Sequence, residues 1–499
     1  MAEERTAAPA LSLERAGSRS FDGAYANRTL VLLASLGALI VYIDVMLLPA
    51  LPTIAVEYHV SIAETSLLIS LYTVFGVAVM PIVGKLGDIY GKRRVLLYVL
   101  GTYLAVATTT SFAPTFELVL VARFFQGVGL GVFPLAFSLA REEFPRALVP
   151  RAQGLISAVQ VAGGAMGILA GAIVTGDLGW QANYHLALPC IAVLTVLVLL
   201  WIRESPNLKP GVRLDLVGAL ALGGALTAIV LGLSEGATWG WSSAPILGLL
   251  AAGFVTLVPL ARYERHQPEP VLDLRLLRQR NVLVANLLVL VYGISGYVAF
   301  QAVTYYLQLR SPAGFGLGIV ETGLALIPLV VVLLPVAYAV GTVIPRYGVK
   351  PFLVLGAFFG TAGFLLLAIA TTPVEVALFL CAYAVGSGLM SVAIQNLLVL
   401  SLAKGEMGLG TSLNTSFRYI GQSVGAPLAG AILSTFVTLV AVPGGFVTLP
   451  RHVAFQYCFY VAGVLFVAFA AISLFAKEVI GRHVPATPPP TPVASRPAS

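Results

Sequence analysis

Long apolar runs separated by short polar stretches recur along nearly the whole chain. Fourteen of them approach the length that an α-helix needs to cross a bilayer, about 20 residues. They lie at roughly 29–55, 63–83, 95–112, 116–140, 152–174, 184–202, 215–233, 244–261, 282–308, 319–341, 351–370, 374–401, 408–433 and 455–476. Barrel strands would be shorter and would alternate in polarity, whereas helices satisfy their backbone hydrogen bonds within the segment. The pattern predicts an all-α polytopic membrane protein with 14 spans.

Composition agrees. Of 499 residues, 58% are hydrophobic and only 10% charged, against about 25% charged in soluble domains. The formal charge of +7 would suit nucleic acid if it were clustered on one surface. Instead, all but four of the 29 Lys and Arg residues fall in the tails and alternate loops, such as Lys85–Arg94, Arg141–Arg151 and Arg262–Arg280. Arg310 and Arg451 lie at the opposite face, and Arg123 and Arg418 within helices. Positive charge concentrates on the cytoplasmic side of membrane proteins, so both termini are expected there, in a cell (inner or plasma) membrane, and no nucleic-acid partner is expected. Cys190, Cys381 and Cys458 all fall within spans, which implies no disulfide framework. The five histidines form no metal pair, and no nucleophile elbow, HExxH or phosphate-binding loop occurs. Neither an enzyme nor an ATP-driven pump is indicated.

The chain repeats itself. Gly84 and Gly91 map onto Gly341 and Gly348 at an offset of 257, Pro114, Gly127 and Gly129 onto Pro373, Gly386 and Gly388 at 259, and Gly163 and Gly167 onto Gly421 and Gly425 at 258. Two similar six-helix bundles, 29–203 and 282–476, are expected, with a linker carrying two inserted helices at 204–281. A cytoplasmic tail, 1–28, and a Pro-, Ala- and Ser-rich disordered tail, 477–499, flank them.

Several motifs carry the chemistry. GKLGDIYGKRR, from Gly84, resembles the signature loop of the major facilitator superfamily, although Ile89 stands where the family has a basic residue and Pro345 replaces the acid in the second copy. The resemblance implies a conformational latch formed by Gly84, Asp88, Gly91, Lys92 and Arg93, with Asp88 meeting a helix N-terminus in the other half. ARFFQGVGLG in span 4 resembles the same family's pattern, with Arg123 inside the membrane. An intramembrane Arg costs about 3 kcal/mol or more and faces a partner or cavity. Asp44, the one carboxylate deep in a span, lies within roughly 6 Å of its depth at 1.5 Å per residue. Alternation between pairing and release would make Asp44 and Arg123 a proton switch; a static buried ion pair is the other outcome.

Three further stretches resemble fourteen-helix drug:proton antiporters. Span 5, GLISAVQVAGGAMGILAGA, keeps the antiporter glycines Gly154, Gly163, Gly167 and Gly171, but has Ile168 and Ala172 for a Pro and a Gly. Gly421, Gly425 and Pro427 repeat the pattern in span 13, and Asp215, Gly218 and Trp241 resemble the linker helices. Asn414, Arg418 and Gln422 share one helix face, and Gln126, Gln160, Tyr297, Gln301, Tyr305, Gln395 and Asn396 are further cavity candidates. For each, helix–helix hydrogen bonding is the competing role. Gln301 stands where the repeat would place the counterpart of Asp44, so the second half lacks the titratable group.

The expectation is a monomeric, proton-coupled exporter of small lipophilic compounds, working by alternating access without a cofactor other than protons. A facilitator of one specific lipid, siderophore or metabolite is the alternative, and a receptor or scaffold without flux a further one. One intramembrane Asp against two Arg favours neutral or weakly acidic solutes.

Overall fold

A computed structural model of the chain describes residues 23–478 apart from 146–147, 206–207, 209–213, 269, 403–405 and 443–444. Expectations for most of the two tails, and for Arg146, Lys209, Arg213, Lys404, Arg482 and Arg496, lie outside the described residues. The first half comprises α1 (Gly23–Val45), short α2 (Leu51–Glu57), α3 (Ile62–Tyr90), α4 (Lys92–Ser111), α5 (Phe116–Gln126), α6 (Val132–Glu143), α7 (Val149–Leu178) and α8 (Trp180–Trp201). Then come α9 (Leu216–Trp239) and α10 (Ala244–His266). The second half comprises α11 (Arg280–Gln308), α12 (Ile319–Tyr347), α13 (Lys350–Leu367), α14 (Pro373–Ser401), α15 (Met407–Thr435) and α16 (His452–Leu474).

The span count differs from expectation. Twelve helices among the described residues are long and apolar enough to cross a membrane, with α5 and α6 forming one of them. This corrects the fourteen-span arrangement of two six-helix bundles plus an inserted pair. The two helices that fall short are α4 and α15. Basic Lys92, Arg93 and Arg94 open α4 and the hydroxyls of Thr108–Ser111 close it. In α15, Thr411, Ser412, Asn414, Thr415, Ser416, Arg418, Gln422 and Ser423 interrupt the apolar run. α4 lies against α5 and α8, with Arg94, Thr108 and Thr109 left exposed, and α15 lies against α3, α9 and α11.

Two expected continuous helices are interrupted. The run 29–55 stops at Val45, passes through a turn, Met46–Ala50, and resumes as α2 with Pro52 in its first turn. Pro49 has no N–H for the next helical bond, which accounts for the break. The run 116–140 tightens into a 3₁₀ stretch at Gly127–Gly131. A β-hairpin pairing Val437–Val442 with Gly445–Pro450 was not foreseen. Strands this short carry too little alternation to stand out from a loop between long apolar helices.

The repeat is visible in the helix caps. Glu64 accepts the Ser61 N–H at 2.7 Å, and Glu321, its counterpart in the second half, accepts the Gly318 N–H at 2.7 Å. Thr115 and Thr372, equivalent in the same way, cap α5 and α14 through their hydroxyls. Gly91 and Gly348 both adopt positive φ, +103° and +79°, where a Cβ would be strained. In both cases a carboxylate occupies the space: Glu204 accepts the N–H of Arg93 and Arg94, and Glu478 those of Val349 and Lys350.

Within the first half α1 lies along α7; within the second α11 lies along α15 and α16. The halves meet through α3 with α15 and α7 with α12. Gly430 abuts Ala63 and Ser66, Gly176 abuts Val320, and Gly323 abuts Ala172. All of these lie at the end opposite the basic Lys85–Arg94 loop, where Tyr305 Oη also meets Thr65 Oγ1 at 2.6 Å and Gln308 donates to Pro49 O at 2.8 Å. The halves are therefore fastened together at that end.

Candidate functional site

The break after Val45 exposes the last carbonyls of α1, which a helix end leaves without intrahelical partners. Arg123, fully buried on α5, fills that gap. Its Nη1 donates to Ile43 O (3.4 Å) and Gln126 Oε1 (2.9 Å), its Nη2 to Asp44 O (3.2 Å), and its Nε to Leu68 O on α3 (3.3 Å). The guanidinium lies 4.5 Å from the Tyr72 ring centroid, a cation–π contact. Four hydrogen bonds, three of them to backbone oxygens, thus hold a charge that would otherwise be untenable there.

Asp44 is 5% exposed. Its Oδ1 is 3.9 Å from Arg123 Nη2, too far for a hydrogen bond. That oxygen has no hydrogen-bond partner among the described residues. The expected pair is therefore in proximity, but the arginine's bonds go to carbonyls rather than to the carboxylate. Asp44 is also within electrostatic reach of Arg418, and Tyr297 within reach of Asp44, Arg123 and Arg418. The two halves contribute to one polar nucleus.

Other expected residues distribute as follows. Gln126 accepts from Arg123 and from Tyr184 (3.3 Å), leaving its Nε2 unbonded. Gln160 on α7 packs over Gly37 of α1, with Nε2 unbonded. Gln301 is 1% exposed and neither amide atom has a partner. Asn414 donates to Ala285 O (3.2 Å), while its Oδ1, Arg418 Nε and Gln422 Oε1 are unbonded. Tyr305 sits away from this group, at the fastened end. Gln395 is exposed and Asn396 bonds its own helix at Val392 O. Sequence reasoning passed over Tyr72, Tyr103 and Tyr184, all fully buried around Arg123. Their signal was a tyrosine in the middle of an apolar run, where its hydroxyl needs a polar neighbour.

The glycine faces set helix spacing. Gly163, Gly167 and Gly171 of α7 press on Ala38, Tyr42 and Met46, the stretch of α1 that carries Asp44. Gly421 and Gly425 press on Leu290, Ile294 and Tyr297 of α11, with Pro427 two residues further along α15. At the loop, Gly84 lies beside Pro134, and Asp88 pairs with Lys92 (3.3 Å), which also meets Glu142 (2.5 Å). These partners of Asp88 and Lys92 lie within the first half. Arg93 donates to Leu199 O. Asp215 caps α9 at Gly218 N, and Trp241 donates to Thr435 Oγ1. No cluster of three or more metal-ligating side chains occurs among the described residues.

A bundle of apolar helices with a buried Arg, a buried Asp and unbonded amides at its centre has the make-up of a membrane transporter. Comparison with known proteins gives the family: the major facilitator superfamily pattern matches residues 33–426 and 346–498, and the chain belongs to that superfamily. It is a family of transporters and not of enzymes. An uncharacterized MFS-type transporter of Bacillus subtilis, YvkA, is 28% identical over 83% of this chain and 94% of its own. The tetracenomycin C resistance and export protein of Streptomyces glaucescens is 27% identical over 65% of this chain. There the match spans only 60% of the relative's length, and in two mycobacterial relatives 58%. Among solved structures, a bacterial homologue of the human lysosomal transporter Spinster, inward-facing and unoccupied, superposes with a TM-score of 0.63. It covers 92% of this chain and 98% of its own at 14% identity, which speaks for the fold alone.

Proposed function

We propose that this protein is a proton-coupled exporter of small lipophilic solutes, with Asp44 as the group that takes up and releases the proton. The observation that carries this is a buried carboxyl whose Oδ1 has no hydrogen-bond partner beside an arginine that is already satisfied. Such a group gains or loses a proton without breaking a bond of the resting structure. Its neighbours convert that event into movement. Asp44 stands at the break of α1, between Tyr42 and Val45–Met46, which meet the glycine face of α7, and within electrostatic reach of the second half. A change of its charge alters the attraction between the halves where they meet.

The halves, 29–203 and 282–476, then rock about this nucleus. The fastened end, by the positive-inside pattern, is the outer one, so this state opens to the cytoplasm. The Gly84–Arg93 loop acts as a latch in the opposite state, when the basic ends of the halves come together. Export of a small organic compound is supported by similarity to the tetracenomycin C resistance and export protein. In everted vesicles, proton-gradient-driven uptake of a lipophilic dye should vanish in Asp44→Asn. Uptake at the full wild-type rate would rule out the coupling role.

One observation favours a dedicated cargo such as a lipid, siderophore or metabolite. The positions that depart from the antiporter pattern, Ile168 and Ala172, lie where α7 meets Gly323 of α12. That contact belongs to the gate between the halves. A lipid or metabolite co-purifying at one per protein, with no dye transport, would select this reading.

A further inference from the structure

The two intramembrane arginines have different surroundings. Arg123 is saturated by carbonyls and a glutamine. Arg418, on α15, is partly accessible, and its Nε is buried without a partner. Its guanidinium lies 5.3 Å from the Tyr419 ring centroid, a cation–π contact. No carboxylate among the described residues comes within ion-pair distance of it. The charged and titratable groups facing it are Asp44 from α1, Tyr292 and Tyr297 from α11, and Tyr419 beside it. Tyr292 is engaged with Ser387. One turn to either side of this cation on its own helix stand two unbonded amide oxygens, Gln422 Oε1 and Asn414 Oδ1.

A native interior rarely leaves so many polar atoms unmet in one place without a reason. With Asp44 ionised the nucleus holds two positive charges against one negative; with Asp44 protonated the imbalance grows. A cationic solute would add to it. We infer that Arg418 is the recognition site for the solute's head group, and that the solute is an amphiphilic organic anion: a carboxylate or acidic phenol on an apolar, hydroxyl-bearing body. The acid lies on the Arg418 guanidinium, which matches a carboxylate bidentately. Hydroxyl groups donate to Gln422 Oε1 and Asn414 Oδ1, and aromatic surface meets the tyrosines. This rests on the transport reading above and names the solute class for that same centre.

The test uses full-length protein purified in detergent and three probes with one apolar body: pyrenebutyric acid, its methyl ester, and a pyrenebutyl trimethylammonium salt. The acid should bind about tenfold or more tightly than the ester, as one hydrogen bond to a charged group allows, and the cation more weakly than either. Arg418→Gln should reduce the acid's advantage to within about threefold, and Arg418→Lys should retain part of it. Equal binding of acid and ester by the unmodified protein would overturn the assignment, a comparison that needs no variant to fold. So would an acid preference undiminished in Arg418→Gln. Asp44→Asn separates the two claims: it should keep the acid preference while losing gradient-driven flux. Loss of that preference would overturn the assignment to Arg418, whereas flux surviving in Asp44→Asn would sink proton coupling alone.

Discussion

Replacing Arg123 by Lys and Asp44 by Asn, singly and together, distinguishes a helix-end clamp from a buried ion pair. Were the two side chains a tight pair, removing the carboxylate's charge would strand the arginine, at about 3–5 kcal/mol. The distances argue otherwise. Asp44 Oδ1 stands 3.9 Å from Nη2, while four hydrogen bonds at 2.9–3.4 Å go elsewhere. Asp44→Asn removes none of them, because its own contribution is a backbone carbonyl. The stability loss should be below about 1 kcal/mol, in the range of ordinary hydrogen-bond changes. Lysine keeps the charge at position 123 but has no planar fork, and reaches one cluster of acceptors rather than three separate ones. At least two bonds are lost. At about 1.5–3 kcal/mol each in soluble proteins, and nearer 0.6 in membrane proteins, Arg123→Lys should cost about 1–6 kcal/mol. Unfolding in mixed micelles with increasing SDS measures both, and the double variant gives the coupling, expected below about 1 kcal/mol. Contacting residues that act as one unit couple by up to about 3 kcal/mol, so a coupling above about 2 kcal/mol would refute the clamp. So would an Asp44→Asn loss larger than that of Arg123→Lys.

Other expectations follow from single contacts. Gly91→Ala places a Cβ at φ +103° against the Glu204 carboxylate; it should lower thermal stability by about 1–3 kcal/mol, and normal melting would contradict the strain. Glu204→Gln keeps the shape but weakens the cap on Arg93 and Arg94, so it should cost less, about 1 kcal/mol. Gly167→Val drives a side chain into Val45 and the Tyr42 backbone, next to Asp44; flux should fall at least tenfold with surface expression retained, and unchanged flux would dissociate α7 packing from coupling. Tyr305→Phe removes the 2.6 Å contact to Thr65. In a background lacking the three native cysteines, a Cys at Ser66, which abuts Gly430 across the same interface, should then react faster with a membrane-impermeant thiol reagent, and equal rates would show that this contact does not hold the end closed.

Much of the plan could be read from the chain because bilayer physics allows few alternatives. An apolar run long enough to cross the hydrocarbon must satisfy its own backbone and so is helical. Gly91 and Gly348, chosen for their spacing, share a positive φ. The span count misled because α15 reads as one more apolar run, whereas its polar residues are covered by α3, α9 and α11. Hydropathy shows how apolar a helix is, not which faces its neighbours cover. The break at Pro49 was noticed as a departure in the motif, but its result was not: it turns the α1 carbonyls toward Arg123, and depth along a straight helix could not reveal that. The unbonded amides of Gln301 and Gln422 depend on neighbours from several helices, a property no local pattern records.

The second half has Gln301 where the first has Asp44, so the proposed cycle would have a single carboxyl to carry the proton. If one H⁺ enters while one monovalent anion leaves, two elementary charges move inward per turnover. The membrane voltage then becomes the larger driving force: about 2.3 kcal/mol per charge at 100 mV, hence about 4.6 for the pair, against about 1.4 from a pH difference of one unit. Such a pump would keep working in near-neutral surroundings where the acid gradient has collapsed, and would lose most of its driving force when the bilayer is depolarised by a potassium ionophore.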